Sequence, residues 1–477
     1  AMPRKNKKAT VEPVETNAPP TTTTQQQSSN PNLTKRPSLK KEAATAAPPS
    51  TTVPPNASPR RRRGGAATTI GPTFLSLEES SFIPISVRKE IQLTSNLPNA
   101  PSSIMIEGAL LLVDICGFTR LGEVLIREHG QITGSEMFAA QISEAISALS
   151  LIVFRFNGTI EKIAGDCLIC FFADVNEEDD GVCVCLGLAT QCATSLLAAV
   201  SQINSELDVH GAIHHGFMQR IHMEVNATDE QHGTQTTTRW YAIAGRALKV
   251  AGSLLTNAKR GEFRVFGGNV INKTTKETSA AQETLGSQDA SFHRSLSISQ
   301  RVVQCPSIAQ IYLPPIYLAK YRPGGSVVGL FTNEYRRVVT AFISLPGLFA
   351  LSIEPHGINV EHLNEVYTIL VNLLSKHEGL MRDFLFEEKG CTMICCWGCV
   401  SMSEFDVIRG VLFALETLDV FKSLGERIKI GISSGDCFTG VCGHLFRRDY
   451  VVMGTCKWCC CVCCGIVCVL QCTKPCF

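Results

Sequence analysis

An internal repeat constrains the fold of this chain more than any other feature of its sequence. The first copy begins with an apolar strand at residues 109–114 and continues with a helix, a hairpin at 158–172 and a second long helix. The second copy begins with a strand at 336–345 and repeats that order through a hairpin at 382–398. A repeat of roughly 200 residues predicts two homologous α+β lobes, each an antiparallel-rich sheet with helices on one face, paired with pseudo-twofold symmetry.

The repeat divides the chain into five predicted segments. They are a tail (1–75), the first lobe (76–266), a linker (267–335), the second lobe (336–454) and a cysteine-rich tail (455–477). The first tail is rich in Thr, Pro, Ser, Gln and Asn, a composition that predicts disorder because it cannot bury enough apolar surface. In the last segment, composition changes abruptly after Gly454, which favours a shifted reading frame or a retained intron over palmitoylation, oxidation or metal binding.

Charge and cysteine content narrow the class of protein. Lysine and arginine number 44 against 43 acidic residues, a net charge of +1, so charge gives no reason to expect nucleic acid as a partner. Thirteen of the 22 cysteines are scattered among apolar residues, as buried thiols of a reducing compartment are, and we expect a cytoplasmic protein. The uncharged run 181–204 is long enough to cross a membrane, but Thr190, Gln191 and Gln202 interrupt it. This favours a core helix over a membrane span.

Two aspartates occur in the first copy of the repeat and are missing from the second. Asp114 closes the first strand and Asp166 lies at the hairpin tip, whereas the second copy has Ser344 and Cys391 at these positions. Two adjacent carboxylates repel unless a cation neutralises them, and hard cations such as Mg²⁺ take oxygen ligands. The spacing leaves an alternative open, in which Asp114 caps the helix near Gly117 and Asp166 belongs to an ordinary Gly-Asp turn.

The segment DICGFT, residues 114–119, adds a second kind of ligand group. The glycine and the helix start that follows it offer backbone N–H groups to phosphate oxygens, and the helix dipole favours negative charge there. Carboxylates for a metal beside amides for phosphate indicate a nucleoside triphosphate.

Together these motifs resemble the two catalytic lobes of class III nucleotidyl cyclases, and most closely the bicarbonate-responsive soluble adenylyl cyclases. The resemblance covers roughly residues 80–454 and is carried by VDICGFT, EKIAGDCL, EEKGCTMICCWG and IKIGISSGDCFTGVCGHLFRRDYVVMG. It implies ferredoxin-like lobes in which Asp114 and Asp166 hold two Mg²⁺ ions, or Mn²⁺, with the carbonyl of Ile115 as a further ligand. It also implies an adenylate cyclase, in which the ribose 3′-hydroxyl of ATP attacks the α-phosphate to form cyclic AMP and pyrophosphate for intracellular signalling.

The resemblance assigns further roles to single residues. Four backbone amides would hold the β- and γ-phosphates: those of Cys116, Gly117, Phe118 and Thr119. In the second lobe Lys389 would donate to the adenine ring, and Val451 occupies the other base-contacting position. A valine cannot hydrogen-bond the adenine amino group, which removes an interaction worth roughly 1 kcal/mol.

Other positions depart from the family pattern. The family places an Asn that orients the ribose and an Arg that stabilises the transition state after Gly454, where this chain has Trp458 and Val462. The closing strands of the second lobe are missing too, so we expect that lobe to be incomplete. Loss of a transition-state arginine commonly costs several orders of magnitude in rate. The alternative function is therefore a catalytically impaired pseudo-cyclase that binds nucleotide in a regulatory role.

Two more alternatives concern the purine base of the substrate and regulation by bicarbonate. Guanylyl cyclases typically carry Glu and Cys at the base-contacting positions, so Lys389 argues against guanine. Lys162 matches the lysine that binds bicarbonate in the resembled group, whereas Gly252 replaces its arginine partner. His210, His214 and His215 stand where an arginine often contacts phosphate, and we interpret them as packing or surface residues.

Overall fold

The structure is a computed structural model, and it describes residues 74–173, 182–228, 235–272, 305–320, 334–351, 357–387, 390–454 and 468–472. The described residues form two mixed α+β lobes, each built on one mainly antiparallel sheet, which confirms the predicted fold class. The predicted disordered tail lies outside the described residues up to position 73.

The first lobe contains seven strands and six helices within its described residues. The strands are β1 (Ser102–Cys116), β2 (Thr159–Ala164), β3 (Cys167–Ala173), β4 (Asp208–Thr228), β5 (Gln235–Ala244), β6 (Glu262–Val265) and β7 (Val270–Asn272). The helices are α1 (Leu77–Ser81), α2 (Ile85–Thr94), α3 (Phe118–His129), α4 (Gln131–Arg155), α5 (Val182–Ile203) and α6 (Arg246–Thr256). The sheet order is β2-β3-β1-β4-β6-β7, with β5 paired to the far half of β4; only the β4–β6 pairing is parallel among the described strands.

The second lobe repeats this arrangement with fewer strands. A 3-10 helix (Ser307–Tyr312) and α7 (Pro315–Lys320) precede it. Its elements are β8 (Glu334–Leu345), α8 (Pro346–Leu351), α9 (Val360–Lys376), β9 (Leu380–Glu387), β10 (Gly390–Trp397), α10 (Asp406–Ser423), β11 (Ile428–His444), β12 (Arg447–Gly454) and β13 (Cys468–Cys472). The order is β12-β11-β8-β10-β9, and β13, from the cysteine-rich tail, pairs with β11.

Strand register supports the internal repeat residue by residue. In the first lobe Asp114 of β1 lies opposite Cys167 of β3. In the second lobe Ser344 of β8 lies opposite Thr392 of β10. The residues that precede the two partners are Asp166 and Cys391, so the register reproduces the superposition made from sequence.

The central strand β1 is buried on both faces from Gly108 to Val113, which explains the continuous apolar run there. Ala109, Leu111 and Val113 pack with α3, α4 and α5, whereas Leu110 and Leu112 belong to a cluster shared with α6 and the second lobe. Helix α6 therefore lies on the sheet face opposite the other long helices, so the prediction that all helices of a lobe lie on one face is wrong for the first lobe.

Helices α4 and α5 are each long and apolar enough to cross a membrane by length and composition alone. In the structure α5 packs one face into the core of the first lobe, through residues such as Cys185, Cys192 and Leu196. Its other face exposes Gln191 and Thr194. This amphipathic packing matches the core helix predicted from the polar interruptions, and the exclusion of a membrane span stays a prediction.

Part of the segment predicted as a linker packs against the first lobe. Tyr312 and Tyr317 join a buried cluster with Phe82 and Ile83, and the rings of Phe82 and Tyr317 lie 4.9 Å apart. Strand β7 also falls in this segment and completes the first sheet. The segment boundaries themselves stay predictions.

Candidate active site

Strand β1 delivers Asp114 to the end of the first sheet. The strand is buried from Gly108 to Val113, and Asp114 follows with 28% of its side chain exposed. The strand then ends at Cys116, and Gly117 adopts a φ of +104° before α3 begins. A Cβ at this glycine would lie 2.6 Å from the carbonyl oxygen of Glu206, so the turn requires glycine.

Asp166 reaches the same end of the sheet from the neighbouring strand. It lies in the tight turn between β2 and β3, where Gly165 adopts a φ of +69°. Its carbonyl oxygen accepts a hydrogen bond of 3.0 Å from the amide of Ile115. The structure therefore brings the two predicted aspartates to adjacent positions on neighbouring strands, and their role as metal ligands stays a prediction.

Several carboxylates lie close enough to Cys116 to affect its thiol. Burial, followed by the charge of Asp114, raises the pKa of the Cys116 thiol to about 11, and Asp208 and Asp166 act in the same direction. Arg260, which lies 3.4 Å from Asp208, opposes them. This end of the sheet thus concentrates negative charge, which attracts a cation.

His210 of β4 lies directly opposite Asp114 in the sheet. Its Nε2 is 3.5 Å from Oδ2 of Asp114, and its Nδ1 is 2.8 Å from Sγ of Cys116. Burial lowers the pKa of His210 below its ordinary value despite the nearby carboxylates, which favours the neutral imidazole.

The first turn of α3 provides amides that the helix does not use. The first hydrogen bond inside the helix runs from the amide of Leu121 to the carbonyl of Gly117, so the amides of Phe118 and Thr119 precede it. Gly117 has no side chain that could cap them. The predicted phosphate-binding amides are therefore at a helix N-terminus next to Asp114.

A cavity of about 270 Å³ lies between the two lobes. Asp166 and Phe118 line it from the first lobe. Residues of the second lobe form most of its remaining wall: Tyr335, Thr340, Phe342, Arg382, Asp383, Leu385, Ile394, Cys396, Cys437, Val452 and Met453. The volume is near the lower end of small-molecule sites, which begin at roughly 300 Å³.

A buried group of five charged side chains, which we call the interlobe charge cluster, joins the lobes beside this cavity. Nζ of Lys162 in the first lobe lies 2.9 Å from Asp383 and 3.1 Å from Asp449 in the second. Arg382 pairs with Asp383 at 2.6 Å, and Arg447 pairs with Asp449 at 3.2 Å. Burial alone would raise the pKa of Asp449, but Lys162, Arg447 and Arg382 outweigh it and hold that pKa below its ordinary value.

The cluster bears on the role assigned to Lys162 by resemblance. Both carboxylates that contact its ammonium group come from the second lobe and are almost fully buried. The lysine also lies over the ring of Trp240, 4.8 Å from its centroid. In this structure Lys162 connects the lobes, and bicarbonate binding stays a prediction.

The base-contacting positions predicted in the second lobe are only partly described. Val451 is fully buried on β12 opposite Gly440, and packs into the core cluster of the first lobe. The two residues after it line the cavity. Lys389, Trp458 and Val462 lie outside the described residues, and all these roles stay predictions.

Two charged residues of the cavity wall, Arg382 and Asp383, were not predicted from the sequence. Arg382 and Asp383 are adjacent charges inside the otherwise apolar strand β9, a pattern that signals buried ionic contacts. The thiol of Cys116 was also missed, because the motif had been interpreted through its backbone amide. His210 was predicted only as a packing or surface residue.

Comparison with curated proteins identifies distant relatives of this chain. In sequence, the chain is 21% identical over 415 residues to adenylate cyclase type 10 of Rattus norvegicus, covering 75% of this chain and 24% of that protein. The Mus musculus protein of the same name is also 21% identical over 415 residues, with 75% of this chain and 23% of that protein covered. The chain thus spans about a quarter of the length of these curated relatives.

Two further comparisons complete this description. No protein-family model matches the chain. A solved class III adenylyl cyclase-like ATP-binding protein from Pseudomonas aeruginosa superposes with a TM-score of 0.47 at 14% identity, covering 74% of this chain and 80% of that one. The distant similarity to adenylate cyclase type 10 confirms the resemblance predicted from the motifs.

Proposed function

We propose that this chain binds ATP and divalent metal between its lobes and acts as an adenylyl cyclase in intracellular signalling. The observation that carries the proposal is that Asp114, at the end of β1, lies next to the turn that contains Asp166, where the amide of Ile115 donates to the Asp166 carbonyl. Both residues are beside the first turn of α3, and Asp166 lines the interlobe cavity. Carboxylates next to unused helix amides are the groups that bind a metal-complexed triphosphate. The distant similarity to adenylate cyclase type 10 supports the same reaction.

The donors at this sheet end fit Mg²⁺, or Mn²⁺ in its place. The carboxylates of Asp114 and Asp166 and the carbonyl of Ile115 would hold two ions, because all are hard oxygen ligands. Both carboxylates act on the one thiol of Cys116, which is consistent with their convergence. When bound, the metal lowers the pKa of the ribose 3′-hydroxyl and neutralises the leaving pyrophosphate.

The chain's own groups bind and orient the nucleotide. The amides from Cys116 to Thr119 would donate to the β- and γ-phosphates, and the helix dipole of α3 favours their charge. Apolar side chains such as Phe342, Leu385 and Ile394 would hold the adenine ring in the cavity. Lys389 would select the base together with the position of Val451. Because the transfer depends on positioning more than on a protein nucleophile, the docking of the two lobes is part of the catalytic apparatus.

Cyclic AMP formed from ATP and Mg²⁺ or Mn²⁺ by the purified chain, measured by mass spectrometry, tests this function. We expect Asp114→Asn and Asp166→Asn each to abolish the product. The matched control is Asp208→Asn, which removes a carboxylate at the same sheet end yet keeps the oxygen that accepts from the amide of Val209. Equal product from the control and the two variants would contradict the assignment, and GTP turned over in preference to ATP would overturn the choice of base.

A second candidate is a pseudo-cyclase that binds nucleotide without converting it. Two observations favour it: His210 lies 3.5 Å from Asp114, and Trp458 and Val462 occupy the positions of the ribose-orienting Asn and transition-state Arg. This candidate predicts ATP binding that depends on Asp114 and Asp166, measured by calorimetry, without any cyclic AMP. Product formation by the wild-type chain would eliminate it.

A further inference from the structure

Asp114 belongs to a second set of donor atoms that differs from the oxygen ligands described above. Sγ of Cys116 is 2.8 Å from Nδ1 of His210, and Nε2 of the same ring is 3.5 Å from Oδ2 of Asp114. One ligand atom from each of the three residues lies within 4.8 Å of the other two. All three side chains are partly exposed, so an ion can reach them from solvent.

Strand register holds these three side chains together. Asp114 and Cys116 are two residues apart on β1 and therefore point to the same face of the sheet. His210 lies directly opposite Asp114 on β4, which places its side chain on that face too. The backbone of two central strands thus organises the donors in advance.

The donor atoms of Asp114, Cys116 and His210 favour a different cation from the one proposed for the substrate site. Mg²⁺ requires oxygen ligands, whereas thiolate, imidazole and carboxylate together suit Zn²⁺. Zinc bonds of about 2.0–2.3 Å in a tetrahedron separate the ligand atoms by roughly 3–4 Å. One nitrogen of His210 would bind the ion, and because the chosen donor atoms lie within 4.8 Å of one another, the side chains need to move by an amount on the order of 1 Å. Asp166 adds negative charge near His210, whereas Asp208 and Glu262 are paired with Arg260 and Arg264.

We propose that Asp114, Cys116 and His210 form a zinc-binding site with a fourth position open to solvent. On binding, Zn²⁺ displaces the thiol proton of Cys116, which passes to the buffer, and the resulting thiolate bonds to the metal. A consequence that rests on the proposed function is inhibition, because zinc would occupy one of the two carboxylates that the magnesium ions require.

Zinc protection of Cys116 from alkylation tests this site directly. The full chain is labelled briefly with N-ethylmaleimide in EDTA or in ZnCl₂, and the labelled positions are quantified by peptide mass spectrometry. We expect zinc to slow labelling of Cys116 by about tenfold or more, because the metal-bound thiolate is shielded from the reagent. Cys167 is the internal control, since it is also partly exposed and lies opposite Asp114 on the other side of β1. Reading each peptide separately distinguishes this site from the cysteines of the tail.

Two variants test the other ligands. His210→Gln and Asp114→Asn should each remove the protection, whereas His214→Gln, on the same strand but outside the set of donors, should keep it. Thermal unfolding shows which variants fold, and either folded variant is sufficient for the comparison.

Three results would overturn the proposal. They are equal labelling of wild-type Cys116 with and without zinc, protection retained in a folded His210→Gln or Asp114→Asn variant, and equal protection by MgCl₂ at the same concentration. The labelling uses no nucleotide, so failure of the cyclase assay and failure of the zinc site are observed separately.

Discussion

Replacing Asp449 by asparagine should strongly destabilise the pairing of the two lobes. The interlobe charge cluster contains three cations, Lys162, Arg382 and Arg447, and two carboxylates, Asp383 and Asp449. The side chains of the four residues from the second lobe are at most 5% exposed, and that of Lys162 is 15% exposed. Water therefore compensates little of any charge that loses its partner.

The size of the effect follows from the balance of charge. Asp449→Asn leaves three buried cations with one carboxylate, and an uncompensated buried charge costs about 3–5 kcal/mol. The asparagine oxygen can still accept a hydrogen bond from the amide of Tyr450, which lies 3.1 Å from Oδ1 in the wild type. We therefore expect a loss at the lower end of that range, about 3 kcal/mol. Lys162→Met leaves two cations with two carboxylates, and both Arg–Asp pairs remain. We expect it to cost only about 1 kcal/mol.

Urea unfolding followed by circular dichroism measures both values under the same conditions. The matched control is Asp419→Asn on the exposed face of α10, which should stay within about 0.5 kcal/mol of wild type. The reasoning is refuted if Asp449→Asn falls within about 1 kcal/mol of wild type, or if Lys162→Met costs as much as Asp449→Asn.

Three further predictions concern the same fold. Neighbouring cations hold the pKa of Asp449 below its ordinary value, so its carboxylate stabilises the fold above the unfolded pKa of about 4, and this stabilisation is lost as pH falls through the lower folded pKa. In thermal unfolding from pH 7 to pH 3, stability should therefore fall more steeply for wild type than for Asp449→Asn. Parallel curves would contradict this prediction. Gly117→Ala should lower the free energy of unfolding by about 2 kcal/mol and the control Gly130→Ala by about 1 kcal/mol, as measured by thermal unfolding. Both glycines have positive φ, but an added Cβ meets a carbonyl oxygen only at Gly117 and has nothing within 4 Å at Gly130. Equal losses would argue against the close approach at Gly117. Trp240→Phe should lower the free energy of unfolding in urea by about 1 kcal/mol, because the indole N–H donates across the lobes to the carbonyl of Phe384 at 2.8 Å. An unchanged free energy would mean that this hydrogen bond does not stabilise the pairing of the lobes.

Much of the fold follows from local sequence patterns. The buried strand β1 is evident from its apolar run, and the hairpin that carries Asp166 is evident from the Gly-Asp turn between two short apolar strands. These local signals also predict the meeting of Asp114 and Asp166, since each lies at a strand end and β3 pairs with β1. The polar interruptions of α5 likewise predict a helix with one buried face.

Local sequence patterns do not predict the interlobe charge cluster, because its members come from different lobes. Lys162 lies in the hairpin of the first lobe, whereas its partners Asp383 and Asp449 lie on two separate strands of the second. No periodicity within one segment contains that pairing, which depends on how the lobes dock. Sequence could indicate only that charged residues inside apolar strands must find partners.

The role of Cys116 depends on register in the same way. Its motif predicts a backbone amide that binds phosphate, and its side chain acquires a partner only when β4 places His210 opposite Asp114. Asp114 is therefore shared by two proposed sets of donor atoms. One set contains the oxygens of Asp166 and Ile115, and the other contains the thiol of Cys116 and the imidazole of His210. A zinc ion held by the thiolate and imidazole would bind the same carboxylate that the magnesium ions require, so the two sets compete for Asp114. The cation available to the protein would therefore determine whether this end of the sheet binds a nucleotide or is blocked by zinc.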